Sequence, residues 1–462
     1  MTPPPQTALP APDGWRTFVW LWGSQALSVL GSAVAGFAFS IYLTVTRYPL
    51  AEQKPQLALA LAATALAWGL AATLSAPVAG TWTDRHDRRQ IMLGADLLGA
   101  ALTFAMLGLL LLPAAPLWTL VLASGLMGLV STFHGSAFDA SYTTLVPKDR
   151  LPRANGMMQT IWSLAGLVGP ALAALLIGVP ALLRRSEALP AWLSGLRDGV
   201  PFAFAVDGLS FVLAAVILSR LSVPSPKEVT DRSGLQRSFR EDMTFGWTFI
   251  GSRRPLLALL LTFAVANLCG SGLGVLEPLI VKFGLAADWQ ARGSTLTAAL
   301  ATLTVTQSVG GVLGGVLISV WGGLKVRRVL GVLVPMIASG LALAAFGLSS
   351  TVLGAALALF ALGLTYPAMN AHSQSIWQAQ VPPAMQGRVF SVRRLIAQFT
   401  SPLSTALAGL LAARYAGGSV AVLAGLLLAG VAAAQLFNPV LRRVEDGPAA
   451  LASAAPESRI GG

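Results

Sequence analysis

Twelve stretches of mainly apolar residues, most of them twenty or longer, alternate with short polar connections along the chain. They lie near 16–44, 57–80, 91–112, 117–141, 156–180 and 200–222, then near 256–282, 295–320, 329–348, 352–376, 391–415 and 417–438. The hydrocarbon core of a bilayer is about 30 Å thick and takes about 20 helical residues to cross. No water is available there for the backbone, so each crossing segment must bond its own amides as a helix. The pattern therefore predicts an all-α membrane protein with 12 transmembrane helices in two six-helix halves. Residues 16–222 form the N-terminal bundle and 256–438 the C-terminal one, with 1–15 and 439–462 as cytoplasmic ends. The polar stretch 223–255 reads as a cytoplasmic central loop. Its Phe239, Phe245, Trp247, Phe249 and Ile250 suggest an amphipathic helix lying at the membrane surface.

Composition agrees with this pattern. Hydrophobic residues make up 55% of the chain and charged residues 11%, against about 25% charged in an average soluble domain. A soluble protein of this length needs more polar cover, whereas one facing lipid does not. The net charge of +12 would suit nucleic acid, but the positions of the charges argue for topology. With both termini in the cytoplasm, only Arg47, Lys54, Arg184, Arg185, Arg197, Lys282, Arg292 and Arg414 of the 31 lysines and arginines fall outside. That is the bias expected of inner-membrane proteins, and the basic side also attracts anionic lipid headgroups. No nucleic-acid partner is implied. The single cysteine, Cys269, excludes an intrachain disulfide. Residues Met1 to Trp15 show no apolar core before a cleavage site, so no cleaved signal peptide is expected.

The most informative polar stretch is Gly80-Thr-Trp-Thr-Asp84-Arg85-His86-Asp87-Arg88-Arg89, set between the second and third apolar stretches. A worn copy, Ser319-Val-Trp-Gly-Gly323-Leu-Lys-Val-Arg327-Arg328, follows the second stretch of the other half and keeps the terminal Arg-Arg spacing. The Gly-x-x-x-Asp-Arg-x-x-Arg-Arg pattern resembles the signature loop of the major facilitator superfamily of secondary transporters, whose halves are known to be repeats. Several stretches are similar to the drug:proton antiporters that include macrolide efflux proteins and the enterobactin exporter. They are Arg89 to Asp96, Leu145 to Gly156, Gly314 to Gly323 and Gln386 to Ser391. The resemblance implies the major facilitator fold and alternating access. With that resemblance the loop is expected to act as a conformational latch, built on Gly80, Asp84, Arg85, Arg88, Arg89, Asp96 and Asp139. Asp84 would face the positive end of a neighbouring helix such as the eleventh, and Asp96 and Asp139 would pair with Arg85 or Arg88. The alternative is a solvated loop that only sets topology. On the fifth span, Ala165, Gly169, Pro170, Ala173 and Ala174 resemble the exporters' glycine-proline motif, with alanine at three glycine positions. Small residues there, and Gly310, Gly311, Gly314 and Gly315 on the eighth span, let helices approach closely. The fifth and eighth spans are expected to pack across the seam between the halves.

Acids inside spans are few: Asp96, Asp139, Asp207 and Glu277. A carboxylate at the bilayer centre costs about 2.5–3.5 kcal/mol on insertion scales, so each needs a reason. The resemblance places the first, fourth, seventh and tenth spans around a central cavity, which favours Glu277 as the coupling acid, followed by Asp207 and His134. A structural ion pair of Glu277 with Lys282, and a hydrogen-bonding role for Asp207, are the competing readings. His134 and His372 are the two histidines within spans; either is a proton shuttle or a neutral, hydrogen-bonded core residue. The cavity would receive Gln25, Ser28, Ser32, His134, Asn267, Glu277, Tyr366, Asn370 and Gln374. Sparse polar groups on apolar walls suit a bulky amphipathic small molecule, with protons as the second partner. Each of these polar residues also has a simpler use, joining two helices. The implied function is proton-coupled export of drug or macrolide-like compounds; an endogenous solute such as a siderophore, lipid or metabolite is the alternative. No cofactor is implied: no Gly-x-x-x-x-Gly-Lys-[Ser/Thr] loop for a nucleotide occurs, and no cysteine-histidine-carboxylate spacing suits a metal. Nor does any clustered nucleophile and base suggest a membrane enzyme. A sensor or scaffold that keeps the fold without transport is a further alternative.

Overall fold

Local chemistry marks where the helices start and stop. Asp87 accepts the amide hydrogens of Arg89 and Gln90 and so caps the third span at Arg88. Thr295 and Thr351 do the same for the eighth and tenth spans through Ala298 and Gly354. Such caps satisfy amides that have no partner within the helix. The eighth span ends on Gly322 in the left-handed region (φ 78°), where a side chain would be strained.

The computed structural model describes residues 14–112, 115–147, 150–185, 195–223, 247–382 and 386–445. Among these, 12 helices are long and apolar enough to cross a membrane. In the first half they are Gly14–Arg47, Ala51–Arg85, Arg88–Leu111, Leu117–Tyr142, Arg153–Arg185 and Val200–Ser219. In the second they are Arg254–Gly284, Leu296–Trp321, Arg328–Leu348, Val352–Gln380, Val392–Arg414 and Gly417–Leu436. Each overlaps one of the apolar stretches read from the sequence. Large apolar side chains such as Leu74, Leu175, Leu209, Leu317 and Leu353 stay exposed, as lipid-facing residues do. The chain is an integral, multi-pass membrane protein.

Contacts divide the chain into two compact units, Met1–Leu235 and Gln236–Gly462. In the first unit, the first span packs on the fifth and sixth, the third on the fourth and sixth, and the second on the fourth. In the second unit, the seventh packs on the eleventh and twelfth, the ninth on the tenth and twelfth, and the eighth on the tenth. The two maps are the same pattern shifted by one half. The repeat seen faintly in the paired Arg-Arg motifs is thus complete at the level of helix packing. Phe18, Leu21, Met92 and Phe138 anchor the core of the first unit; Leu256, Leu259, Met336 and Trp377 anchor that of the second.

Two departures from the expected elements have clear physical causes. The seventh span is not one helix but Arg254–Gly270 followed by Leu273–Leu279 and a π turn over Ile280–Gly284. The break falls at Gly270-Ser271-Gly272, poor helix formers. Ser404 of the eleventh span donates its hydroxyl to the Leu268 carbonyl beside the break, at 2.6 Å. A π turn also closes the first span at Tyr42–Arg47, the matching end of the other unit. The second departure concerns 439–462: its first residues pack rather than trail. Leu441 and Val444 are buried in the second unit, and the Glu445 carboxylate accepts the Val329 amide hydrogen at 3.0 Å. Glu445 thereby supplies from the chain's end the cap that the worn motif lacks before the ninth span. Of the amphipathic helix expected in 223–255, residues 247–252 are helical, with Ile250 wholly buried in the second unit. Phe239 and Phe245 lie outside the described residues.

Candidate functional site

The charged motif is mostly helix. The second span runs to Arg85, and the third begins at Arg88, so only His86 and Asp87 form the turn. His86 stacks on Trp82 at 4.1 Å between ring centroids. Arg88 donates to the Ala140 carbonyl near the end of the fourth span, at 3.0 Å. Arg89 reaches the last carbonyls of the sixth span, Leu218 at 3.3 Å and Ser219. These arginines satisfy helix-end carbonyls and oppose the negative end of each dipole. Asp84 and Arg85 stay exposed, Gly80 has open space where a side chain would be, and Asp139 is exposed.

Asp96 requires a correction. It is wholly buried, and its polar neighbour is His134 of the fourth span, with Oδ1 and Nε2 3.2 Å apart, rather than Arg85 or Arg88. The two are close, but neither carboxylate oxygen of Asp96 nor Nε2 of His134 makes a hydrogen bond. The reason for the difference lies in depth. Asp96 sits eight residues into its helix from Arg88, about 12 Å along the axis, whereas Arg88 is held at the rim by Ala140.

Asp207 is a junction of three helices. Its carboxylate accepts the hydroxyls of Ser32 on the first span at 3.0 Å and Thr103 on the third at 3.3 Å. Ser32, expected in a substrate cavity, is thus occupied in joining helices. Glu277 accepts from Thr304 of the eighth span at 3.0 Å, the partner where Lys282 had been the competing expectation. His372 is the hydrogen-bonded core histidine: Nδ1 lies 2.7 Å from the Ala368 carbonyl and Nε2 accepts the Leu324 amide hydrogen at 2.8 Å. That tautomer leaves no free nitrogen.

Small residues are used within each unit. Ala165, Gly169, Pro170 and Ala173 are buried, Ala174 partly so, on a fifth span packed against the first. A Cβ on Gly169 would stand 2.7 Å from that of Ala33. The expectation that the eighth span's glycines serve the seam is corrected for one face: Gly310 and Gly314 lie against Phe360 and Leu364 of the tenth span in their own unit. Gly315 meets nothing, and Gly311 only the Gly363 carbonyl at 3.9 Å.

Asn267 and Tyr366 line a small void with Ala266, Gly270, Ser339 and Leu343, of about 10 Å³, room for one water molecule. Gln25 and Ser28 are buried on the first span. Asn370 is exposed and bonds back to the Tyr366 carbonyl at 3.0 Å. Gln374 accepts from Arg393 at 2.7 Å; Arg393 also reaches Ser373 and stacks over Trp377, 5.3 Å from its centroid. Sequence reading counted Arg393 only as a topological charge. Its spacing from Arg388 puts it inside the eleventh span, and that was the available signal. Thr103, Thr304 and Ser404 carried no signal beyond being hydroxyls in apolar runs.

The family model described as Major Facilitator Superfamily matches residues 21–405. The chain belongs to the Major Facilitator Superfamily. Macrolide efflux protein A of Streptococcus pyogenes is 26% identical over 425 residues, 91% of this chain and 95% of that protein. The uncharacterized MFS-type transporter YkuC of Bacillus subtilis is 23% identical over 404 residues, 86% of this chain and 85% of that one. Among solved structures, a bacterial homolog of the human lysosomal transporter Spinster, inward-facing and unoccupied, aligns with TM-score 0.63 and 16% identity. The alignment covers 94% of this chain and 93% of that one. The nucleoside transporter NupG aligns with TM-score 0.62 and 11% identity over 91% and 98% of the two chains. At such identities the structures establish the major facilitator fold, and this superfamily member is a transporter.

Proposed function

We propose that this transporter exports amphipathic small molecules, drug or macrolide-like compounds, across the cytoplasmic (inner) membrane by alternating access, driven by inward proton flow. One observation carries the reading: the similarity to macrolide efflux protein A runs over 91% of this chain and 95% of that protein. A likeness confined to the charged motif would speak only of the superfamily. One that runs end to end includes every helix able to touch a substrate. The apolar surroundings of the scattered amides and hydroxyls support an amphipathic ligand over a sugar or phosphate. The lysine and arginine distribution supports cytoplasmic termini.

In this reading Asp84 and Arg85 work as the latch, because they end the second span exposed while Arg88 and Arg89 are engaged at helix ends. A charge free to change partners biases one access state without disturbing the helix ends. The coupling proton would ride on one of the buried acids. Asp207 and Glu277 are both tied by hydroxyls to neighbouring helices.

The test is efflux from pump-deleted cells expressing the protein, using macrolides and amphipathic dyes with and without a protonophore. Extrusion that collapses with the proton gradient is the expected result. Absence of extrusion for every compound, with membrane expression confirmed, would sink the drug-export reading.

A further inference from the structure

The buried carboxylates of the first unit are held in opposite ways. Asp207 receives two hydroxyl hydrogens. Asp96, 0% exposed, receives none on either oxygen, and His134 Nε2 stands 3.2 Å from Oδ1. An ionised carboxylate without water or donors is costly, by several kcal/mol after relaxation. A carboxylate oxygen and a bare imidazole nitrogen are both acceptors, so they repel at this separation unless a proton sits on one of them.

The same depth holds a second unsatisfied group. Asp96 and Thr103 are seven residues apart, two turns along one face of the third span; Gln25 and Ser32 are related in the same way on the first span. The two spans run in the same direction, and Ser32 and Thr103 meet at Asp207. Gln25 is therefore level with Asp96, and its Nε2 is also buried without a partner. Buried polar groups are normally bonded. Asp96 and His134 thus place a carboxylate and an imidazole side by side, with the Gln25 amide at the same level of the first unit.

We propose that Asp96 and His134 together bind the proton that this transporter exchanges for its substrate. The proposal rests on the proton-coupled export reading and names its coupling site. In the unloaded state a carboxylate faces the Nε2–H of a neutral imidazole, and the pair carries one negative charge. One proton from water adds to the free ring nitrogen and makes the pair neutral overall; its return to water restores the charge. On loading an N–H bond forms as an O–H bond of a hydronium ion breaks, and on release the two changes reverse. The charged form needs access to water or donors, while the neutral form tolerates closure, so loading is tied to the access state. His134, 16% exposed, is the member open to exchange.

Other charges are distant or engaged. The second span, packed on the fourth, offers Asp84, Arg85 and His86 at its exposed end. The sixth, packed on the third, offers Asp207, already bonded, and the exposed Arg220 beyond its end. The first span, which touches the fourth, carries Arg16 at one end and Tyr42 and Arg47 at the other. On the third and fourth spans themselves, Arg88 bonds Ala140 and Arg89 the sixth span, while Asp139 and Tyr142 follow His134 by five and eight residues, about 7 and 12 Å along the axis.

Purified protein in liposomes, with radiolabelled erythromycin as probe, separates the outcomes. Two modes are measured: accumulation driven by an imposed pH gradient, and exchange of labelled for unlabelled erythromycin without one. Asp96→Asn and His134→Gln should each lower the ratio of gradient-driven accumulation to exchange about tenfold or more, the size of a typical coupling between two sites. Accumulation that persists in both variants overturns the assignment, and so does loss of exchange together with accumulation. Should Asp96→Asn fail to insert, His134→Gln, the less buried position, carries the same two measurements alone. A wild-type protein that exchanges erythromycin but ignores the gradient refutes the parent reading of proton coupling instead.

Discussion

Asp288 illustrates what a single side chain outside the membrane does here. It sits in the short helix Ala286–Ala291 after the seventh span and accepts the Val352 amide hydrogen at the start of the tenth, at 2.9 Å. Arg292 adds a bond at 3.0 Å. The Val352 amide, then Arg292, hold the carboxyl below its ordinary value, with slight burial opposing. A depressed folded-state pKa means that the contribution to stability is complete above the unfolded value, about 3.9, and is lost as pH falls through the lower folded value. Corrected for intrinsic rate, hydrogen exchange at Val352 should therefore be protected near pH 6 and lose protection below about pH 4. In Asp288→Ala protection should be weak at both. Equal protection in variant and wild type would show that the tenth span's start is held by other means. At this scale sequence reading reached the residue types but not their partners. Asp96 looked like a mate for arginine because both are near the same end of the span; helix phase and depth gave it His134 instead. His372 was legible as a neutral core histidine; one of its partners, the Ala368 carbonyl, is on its own helix, while the Leu324 amide belongs to a connection no pattern predicts.

Helix contacts are decided by backbone approach rather than by polar pairs. A Cβ on Gly310 or Gly314 would strike backbone of the tenth span at Phe360 or Leu364, and one on Gly363 would strike Gln307 of the eighth. Without a hydrophobic drive between helices in lipid, this close packing is a main source of association. Gly314→Leu should lower the stability of the second unit by at least the about 1–3 kcal/mol typical of overpacking. It should reduce the thermal midpoint on size-exclusion and the yield in membranes. Gly315→Leu, whose Cβ meets open space, should leave both close to wild type. Equal loss in the two variants would mean that the glycines matter for flexibility instead. Sequence marked all four glycines alike. The rotation of the helix about its axis separates those with a close neighbour from those without.

Each half of the molecule has its own core and repeats the other's packing map. Such halves should tolerate a missing covalent link. Co-expressed fragments Met1–Leu235 and Gln236–Gly462 should insert, co-purify and restore part of the transport activity, while either alone should not. Rapid degradation of both fragments when co-expressed would show that the link is needed for folding. What the sequence determined by itself was the number and place of the spans, since burying about 20 residues without water leaves the backbone only a helix. It also determined the membrane class and the superfamily, because length, hydropathy and the Asp84 to Arg89 motif are local properties of the chain. Tertiary structure decided the rest: that Asp207 ties three helices, that Glu445 caps the ninth span, that the seventh span breaks where Ser404 takes up a carbonyl, and that Asp96 meets His134. Those outcomes depend on which faces of distant helices turn toward one another. A difference of one or two residues in helix phase changes every such partner while leaving the apolar pattern unaltered.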